Sequence, residues 1–148
     1  VESNKTLLDQ IVDEFVDILI ANEDEARAFT GQVDELLMIE SLSSRSEIAV
    51  LKVGSRGSYI SHQGKTHRVE PVGDGNAVDT TGAGDLWASG FLYGLVNRQP
   101  LARCGELASM CGYEVCQVMG ASIPDQRWTA IQNYMEAQWP KNGSPAKS

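Results

Sequence analysis

Apolar residues along this chain switch between two periods. Leu7, Leu8, Ile11, Val12, Phe15 and Val16 recur at helical steps, which predicts an amphipathic helix over residues 5–15. The run VDILIA (16–21) is apolar and short, and predicts a buried parallel strand. NEDEARAFTG then reads as a short helix that Gly31 closes. Residues 33–45 read as another helix, with Leu36, Leu37, Ile39 and Leu42 facing inward. EIAVLKV (47–53) is a second buried strand. GSRG turns it into SYISHQ, and Gly64 with Lys65 turns that into THRVEPV, a predicted hairpin. A polar loop, GDGNAVDTTG, leads into a helix over 83–96 on which Trp87, Phe91 and Leu95 form one apolar stripe. Pro100 opens a helix that reaches about residue 119, and Pro124 precedes the last one, 125–138, whose apolar face Trp128 and Trp139 cover.

Strands alternating with helices, with an antiparallel addition, predict an α/β layered sheet: parallel strands, a β-hairpin and C-terminal helices. Only two strands read as parallel, and the chain opens on a helix that lacks a strand before it. So narrow a sheet leaves an open edge, so the chain is expected to be the C-terminal part of a larger α/β protein. Residues 1–139 are read as one domain and the tail PKNGSPAKS (140–148) as disordered. No internal repeat interrupts this order.

Composition narrows the function. Apolar residues make up 42% and charged residues 22%, a balance that builds an ordinary packed core. A net charge of −8 argues against nucleic acid and anionic membranes as partners, since their phosphates require Lys and Arg. No apolar run is long enough to cross a bilayer, and the first ten residues lack the form of a signal peptide. Cys104, Cys111 and Cys116 fall in one helical stretch and are read as reduced core thiols, which points to the cytoplasm. Their spacing is not that of a zinc site, and His62 and His67 lie far off on the hairpin as solvent-facing residues. The sequence leaves a homodimer open.

The chemistry concentrates in VDTTGAGDLWASGFLYGL (78–95), where two glycines and a carboxylate stand at the mouth of a helix. The Walker loop is excluded because no lysine follows a glycine in its register. The dinucleotide fingerprint is excluded because Trp87 stands where its third glycine must be. A simpler design remains. A helix N-terminus presents free N–H groups and partial positive charge, and Gly82, Ala83 and Gly84 let an anion approach them closely. Such a pocket suits the charge that develops in phosphoryl transfer. Asp85, in the first turn, is placed to take a proton from an attacking hydroxyl. A tight turn followed by a dipole-favoured carboxylate would also account for these residues.

The longer string resembles the C-terminal signature of the ribokinase-like (phosphofructokinase-B type) family of sugar and nucleoside kinases. DILIANEDEARAFTG is similar to that family's N-x-x-E segment, VLKVGSRGSYI to its nucleotide-binding strand and turn, and VMGASIP to its closing Gly-Ala turn. The adenosine-kinase-like branch is nearest, on ILIANEDEA and GASIPD. The resemblance implies ATP-dependent phosphoryl transfer to a primary alcohol of a sugar or nucleoside, with Mg²⁺. Asp85 would be the base, and the backbone of Gly82, Ala83 and Gly84 the anion hole. Asn22 and Glu25 would organise magnesium, its waters and the phosphates, Glu25 acting through water. Gly54 and Gly57 would form part of the nucleotide wall. Asp79, Thr81 and the Gly120 turn would hold a monovalent cation, K⁺ being the usual one.

Two features depart from the pattern. Lys52 stands where the family often has a small hydroxyl residue. It is compatible with contact to a phosphate and with a strand-end charge in solvent. Nothing in the chain matches the family's N-terminal half, which carries most of the acceptor pocket. The alternative reading is therefore a non-catalytic nucleotide-binding or regulatory domain, or an inactive fragment. For Asn22 and Glu25, helix capping is the competing explanation. Turn formation is that for Gly54 and Gly57.

Overall fold

The computed structural model describes residues 2–139, with side chains from residue 6 onward, so the expected disorder of 140–148 lies outside the described residues. The chain forms two compact units, one up to Pro71 and one from Val72.

The first unit begins with helix α1 (Glu2–Phe15) and strand β1 (Ile18–Asn22), then helices α2 (Glu23–Thr30) and α3 (Glu35–Ser43). Strand β2 (Ile48–Lys52), a 3₁₀ turn (Gly54–Arg56) and the hairpin β3 (Ser58–His62) and β4 (Lys65–Val69) follow. The sheet order is β1-β2-β3-β4. β1 and β2 are parallel, and the other pairs antiparallel. This is the α/β architecture read from the sequence. β2 buries Ala49, Val50 and Leu51 in succession, where a continuous apolar run is needed because both faces are covered, whereas Ile18, Leu19 and Ile20 of β1, expected to be buried, are half-buried. On one face Ala21, Ala49, Leu51 and Val53 pack with Ala26, Met38, Ile39 and Leu42 of the crossover helices. Burying each larger side chain contributes about 1.5–3 kcal/mol.

Several local readings change. α3 buries Met38, Ile39 and Leu42, whereas Leu36 and Leu37, expected inward, are exposed. Asp34 caps the helix through Leu36 N–H (2.9 Å) and Leu37 N–H (3.1 Å), which fixes its phase and turns those two side chains outward. The hairpin turns at Gln63 and Gly64, both with positive φ (49° and 74°), one residue earlier than Gly64-Lys65. Leu7, Leu8, Ile11 and Phe15 of α1 are exposed, and Val12 alone among its apolar residues is buried. α1 is fastened by polar contacts: Arg45 reaches Asp13 at 2.7 Å and Asp9 at 2.8 Å while lying over the Phe29 ring.

The second unit is helical: α4 (Ala83–Val96), α5 (Leu101–Cys116) and α6 (Asp125–Gln138). α4 and α5 pack closely because Gly90 and Gly94 face Ala108, Cys111 and Cys104 with no side chain between. Trp87 and Phe91 are buried and stacked at 5.4 Å, and Leu95 is half-buried. α6 inserts Ile131 against Leu107, Cys111, Val115 and Ile123. Trp139 packs there and stacks on Tyr93, but Trp128 is exposed. α5 ends at Cys116, not near 119, and Met119 is exposed. Among the described residues no helix is long and apolar enough to cross a membrane.

Candidate functional site

In the first unit the predicted residues gather at the carboxyl ends of the two parallel strands, where open α/β sheets bind ligands. Asn22 ends β1, and its parallel partner in register is Lys52, the end of β2. Asn22 is also the N-cap of α2. Its Oδ1 accepts from Glu25 N–H at 2.8 Å, and its own N–H donates to Glu25 Oε2 at 2.8 Å, a reciprocal capping box. Oε1 of Glu25 accepts none of the described hydrogen bonds. Asn22, Lys52 and Gly54 line a hollow of about 220 Å³ together with Glu23, Asp24 and Arg27.

The charges in that hollow are unevenly paired. Arg27 lies 3.5 Å from Asp24. Glu23 lies 2.7 Å from Arg56, which also reaches Glu35 at 2.8 Å, and these two carboxylates raise the Arg56 pKa further, Glu35 first. Among the described residues Lys52 forms no ion pair, so its ammonium is left for a ligand or for water. Gly54 has φ +59° and open space where a side chain would be. Gly57 does not line the hollow. It is buried, with φ +95°, and a Cβ there would sit 2.2 Å from Val69 O. The backbone alone requires glycine at that point.

In the second unit the loop before α4 is tied to the end of α5. Val78 N–H and Asp79 N–H both donate to Cys116 O (2.7 and 3.3 Å), and Gln117 Nε2 donates to Asn76 O at 2.9 Å. Asp79 Oδ1 accepts from Thr81 N–H (2.9 Å) and Thr81 Oγ1 (2.7 Å), and Oδ2 accepts from Gly120 N–H (2.9 Å). These donors, the Thr81 hydroxyl foremost, hold the Asp79 carboxyl down at a pKa of about 2.

Gly82 caps α4 in the left-handed conformation (φ +77°), and a Cβ on it would lie 2.6 Å from Ala121 Cβ. The Ala83 N–H is taken by Thr80 O at 3.1 Å, and Leu86 N–H closes the first helical bond to Gly82 O at 2.9 Å. Of the expected anion hole of Gly82, Ala83 and Gly84, the Ala83 amide is therefore engaged within the turn, and the amides of Gly84 and its neighbour Asp85 remain as donors of the helix tip. Gly84 and Asp85 are exposed, and the Asp85 carboxylate takes no hydrogen bond among the described residues. Nor do the described residues place three or more His, Cys, Asp or Glu side chains to share a metal ion.

The profile of the pfkB family carbohydrate kinases matches residues 2–128. The chain belongs to this family. At 33% identity over 113 residues the pfkB chain is similar to the ATP-dependent 6-phosphofructokinase of Thermoanaerobacterium thermosaccharolyticum, a match covering 74% of this chain and 35% of that protein. The structure of adenosine kinase from Sinorhizobium meliloti superposes with a TM-score of 0.82 at 28% identity, and that of a probable sugar kinase from Rhizobium etli with 0.83 at 28%. Each superposition covers 90% of this chain and 41% of the other. The pfkB chain thus spans about a third of the curated relative's length and about two fifths of the solved structures.

Sequence reasoning missed part of the hollow in this pfkB chain. EDE (23–25) reads as a solvated helix start apart from Glu25, yet Glu23 and Asp24 line the hollow and Glu25 does not. Arg27 lines it too, outside any of the motifs. A residue one turn into a helix that begins at a strand end is the signal that could have found it.

Proposed function

We propose that the chain supplies the nucleotide-binding and proton-accepting residues of a kinase that transfers the ATP γ-phosphoryl group to a primary alcohol of a sugar or nucleoside. The observation that carries this reading is the front of α4. Gly82 is forced into a conformation that leaves the Gly84 and Asp85 amides as tip donors, with an unengaged carboxylate in the same turn. The name of the phosphofructokinase relative, ATP-dependent, supports ATP as the donor.

The residues of the first unit suit the phosphate end of a magnesium nucleotide. Glu25 has one oxygen committed to the cap and one open, which fits magnesium held through water, and Lys52 offers an unpaired cation to a phosphate. Mg·ATP, when bound, would supply the electrophilic phosphorus and neutralise charge between its phosphates. Asp85 accepts the proton of the acceptor hydroxyl as its oxygen attacks. The amides of Gly84 and Asp85 donate to the oxygens on which negative charge grows. The cap between Asn22 and Glu25 fixes the carboxylate before any ligand arrives, so little ordering is left to binding.

A monovalent cation, K⁺ in the usual case, would sit beside this tip at Asp79, Thr81 and the Gly120 turn. The Asp79 carboxyl is held ionised by its donors, and its Oδ2 accepts one hydrogen bond, from Gly120 N–H, which leaves that oxygen a lone pair for the ion.

Asp85→Asn is the test of this reading. Phosphoryl transfer to ribose, fructose and adenosine is expected to fall about 10²–10⁴-fold, with Mg·ATP binding by calorimetry little changed. Transfer near the wild-type rate contradicts the role of Asp85, and a sensor without catalysis would bind ATP with no turnover in either form.

A further inference from the structure

The hollow in the first unit carries an electrostatic conflict. Its lining holds two cations, Arg27 and Lys52, and two anions, Glu23 and Asp24. Asp24 lies by Arg27. That leaves the Glu23 carboxylate in one lining with Lys52, whose ammonium has no ion pair among the described residues. An uncompensated carboxylate there would cancel the attraction of Lys52 for an anion.

Arg56 resolves the conflict from outside the lining. It ends the 3₁₀ turn that begins at Gly54, and its guanidinium joins the first residues of two helices, Glu23 of α2 and Glu35 of α3. Nη2 reaches Glu23 Oε1 at 2.7 Å. Nη2 and Nε both donate to Glu35 Oε1, at 2.8 and 3.0 Å. Two contacts on Glu35 fix the plane of the guanidinium, and a rigid fork so fixed has one edge left for Glu23. Glu35 is engaged from a second side: its hydrogen bond, ahead of burial, raises the pKa of the Tyr59 hydroxyl. The Arg56 carbonyl is tied as well, accepting from Arg68 Nη2 at 3.4 Å. The Glu23 and Glu35 side chains are only 31% and 27% exposed, so salt screens these pairs less than it screens free surface charges.

We propose that Arg56 is a positioning residue: anchored on Glu35, it holds and neutralises the Glu23 carboxylate, so that an anion in the hollow meets the charge of Lys52 and not that of Glu23. The tie among the three side chains needs no ligand. That the anion is a nucleotide phosphate rests on the function proposed above.

Two variants separate this role from a merely structural one. Arg56→Ala loses the tie and leaves Glu23 uncompensated. Arg56→Ala combined with Glu23→Gln loses the same tie but has no charge left to compensate. Calorimetric titration of Mg·ATP and of inorganic pyrophosphate into the chain at low ionic strength reads the difference. For both probes Kd should rise about tenfold in Arg56→Ala and return to within about threefold of wild type in the double variant. Urea midpoints of the two variants should agree with each other, since both lack the tie. Should Arg56→Ala not fold, Arg56→Gln carries the same comparison.

The tie itself is read without ligand from the Arg56 Nε–H resonance. It should exchange with water about tenfold or more slowly than that of the exposed Arg98, and lose this protection in Glu35→Ala. Equal exchange at the two arginines overturns the proposal, as does a double variant that binds as weakly as Arg56→Ala. If wild type binds neither probe, the function proposed above fails and the masking of Glu23 with it. If wild type binds and Arg56→Ala binds equally well, that function stands and the masking alone fails.

Discussion

Asn22 and Glu25 hold each other by two hydrogen bonds of 2.8 Å, each side chain accepting from the other's backbone N–H. One pair of residues thus ends a strand, starts a helix and presents a carboxylate oxygen at the same place.

The two roles of that pair separate by substitution. Glu25→Gln keeps a capping box, since Gln serves at the third helical position, so the melting temperature should stay within about 2 °C. It removes the charge proposed to organise magnesium, and the Mg²⁺ concentration for half-maximal ATP binding should rise about tenfold. Calorimetry at several magnesium concentrations reads the second effect and a thermal melt the first. A large loss of stability with unchanged magnesium dependence would leave Glu25 as a cap alone.

Glycines on α4 and α5 differ in what they tolerate. A Cβ on Gly94 would lie 2.8 Å from Cys104 Sγ and 3.0 Å from its Cα, while one on Gly112 would meet nothing closer than 3.4 Å. Gly94→Ala should therefore destabilise by about 1–3 kcal/mol despite the better helix propensity of alanine. Gly112→Ala should be neutral or stabilising by up to about 1 kcal/mol. Urea unfolding of the two variants checks the order, and an equal effect of both would mean that the helices are not in contact through Gly94.

How far the sequence discloses this molecule depends on how local each determinant is. The strands ending at Asn22 and Lys52 are legible because a short apolar run bounded by polar residues has few other folds. The Asn22 cap and the glycine mouth of α4 are legible for the same reason, since their partners lie within three residues. The phase of α3 is not: Leu36 and Leu37 look as apolar as Ile39, and the Asp34 cap decides between them. The Arg45 fastening to Asp9 and Asp13 spans over thirty residues and leaves no periodic trace. The bond of Asp79 to Gly120 is likewise long-range. The sequence alone shows no sign that these two residues, 41 positions apart, are bonded.

Alkaline pH should loosen the second unit in a defined window. Burial first, then its hydrogen bond to Glu106, pushes the Tyr134 hydroxyl up to about 12. The unfolded chain ionises near pH 10, so the native state retains this proton through the interval between. The stabilisation is full below about pH 10 and is lost as pH rises through about 12. Cys104 and Cys111, raised to about 11 by burial, add a decline that begins near pH 9. Urea midpoints between about pH 8 and 12 should fall accordingly, and Tyr134→Phe should flatten the upper part of the curve. An identical slope in that variant would show that Tyr134 ionises as freely when folded as when unfolded.

The front of α4 as a seat for phosphate is tested most directly by titrating Mg·ATP into ¹⁵N-labelled chain and following the Gly84 and Asp85 amides. Both are predicted to shift downfield in a saturable way with one shared Kd, and adenosine without phosphates to leave them in place. Saturable binding of Mg·ATP with these two amides unmoved, or no binding at all, would contradict the account.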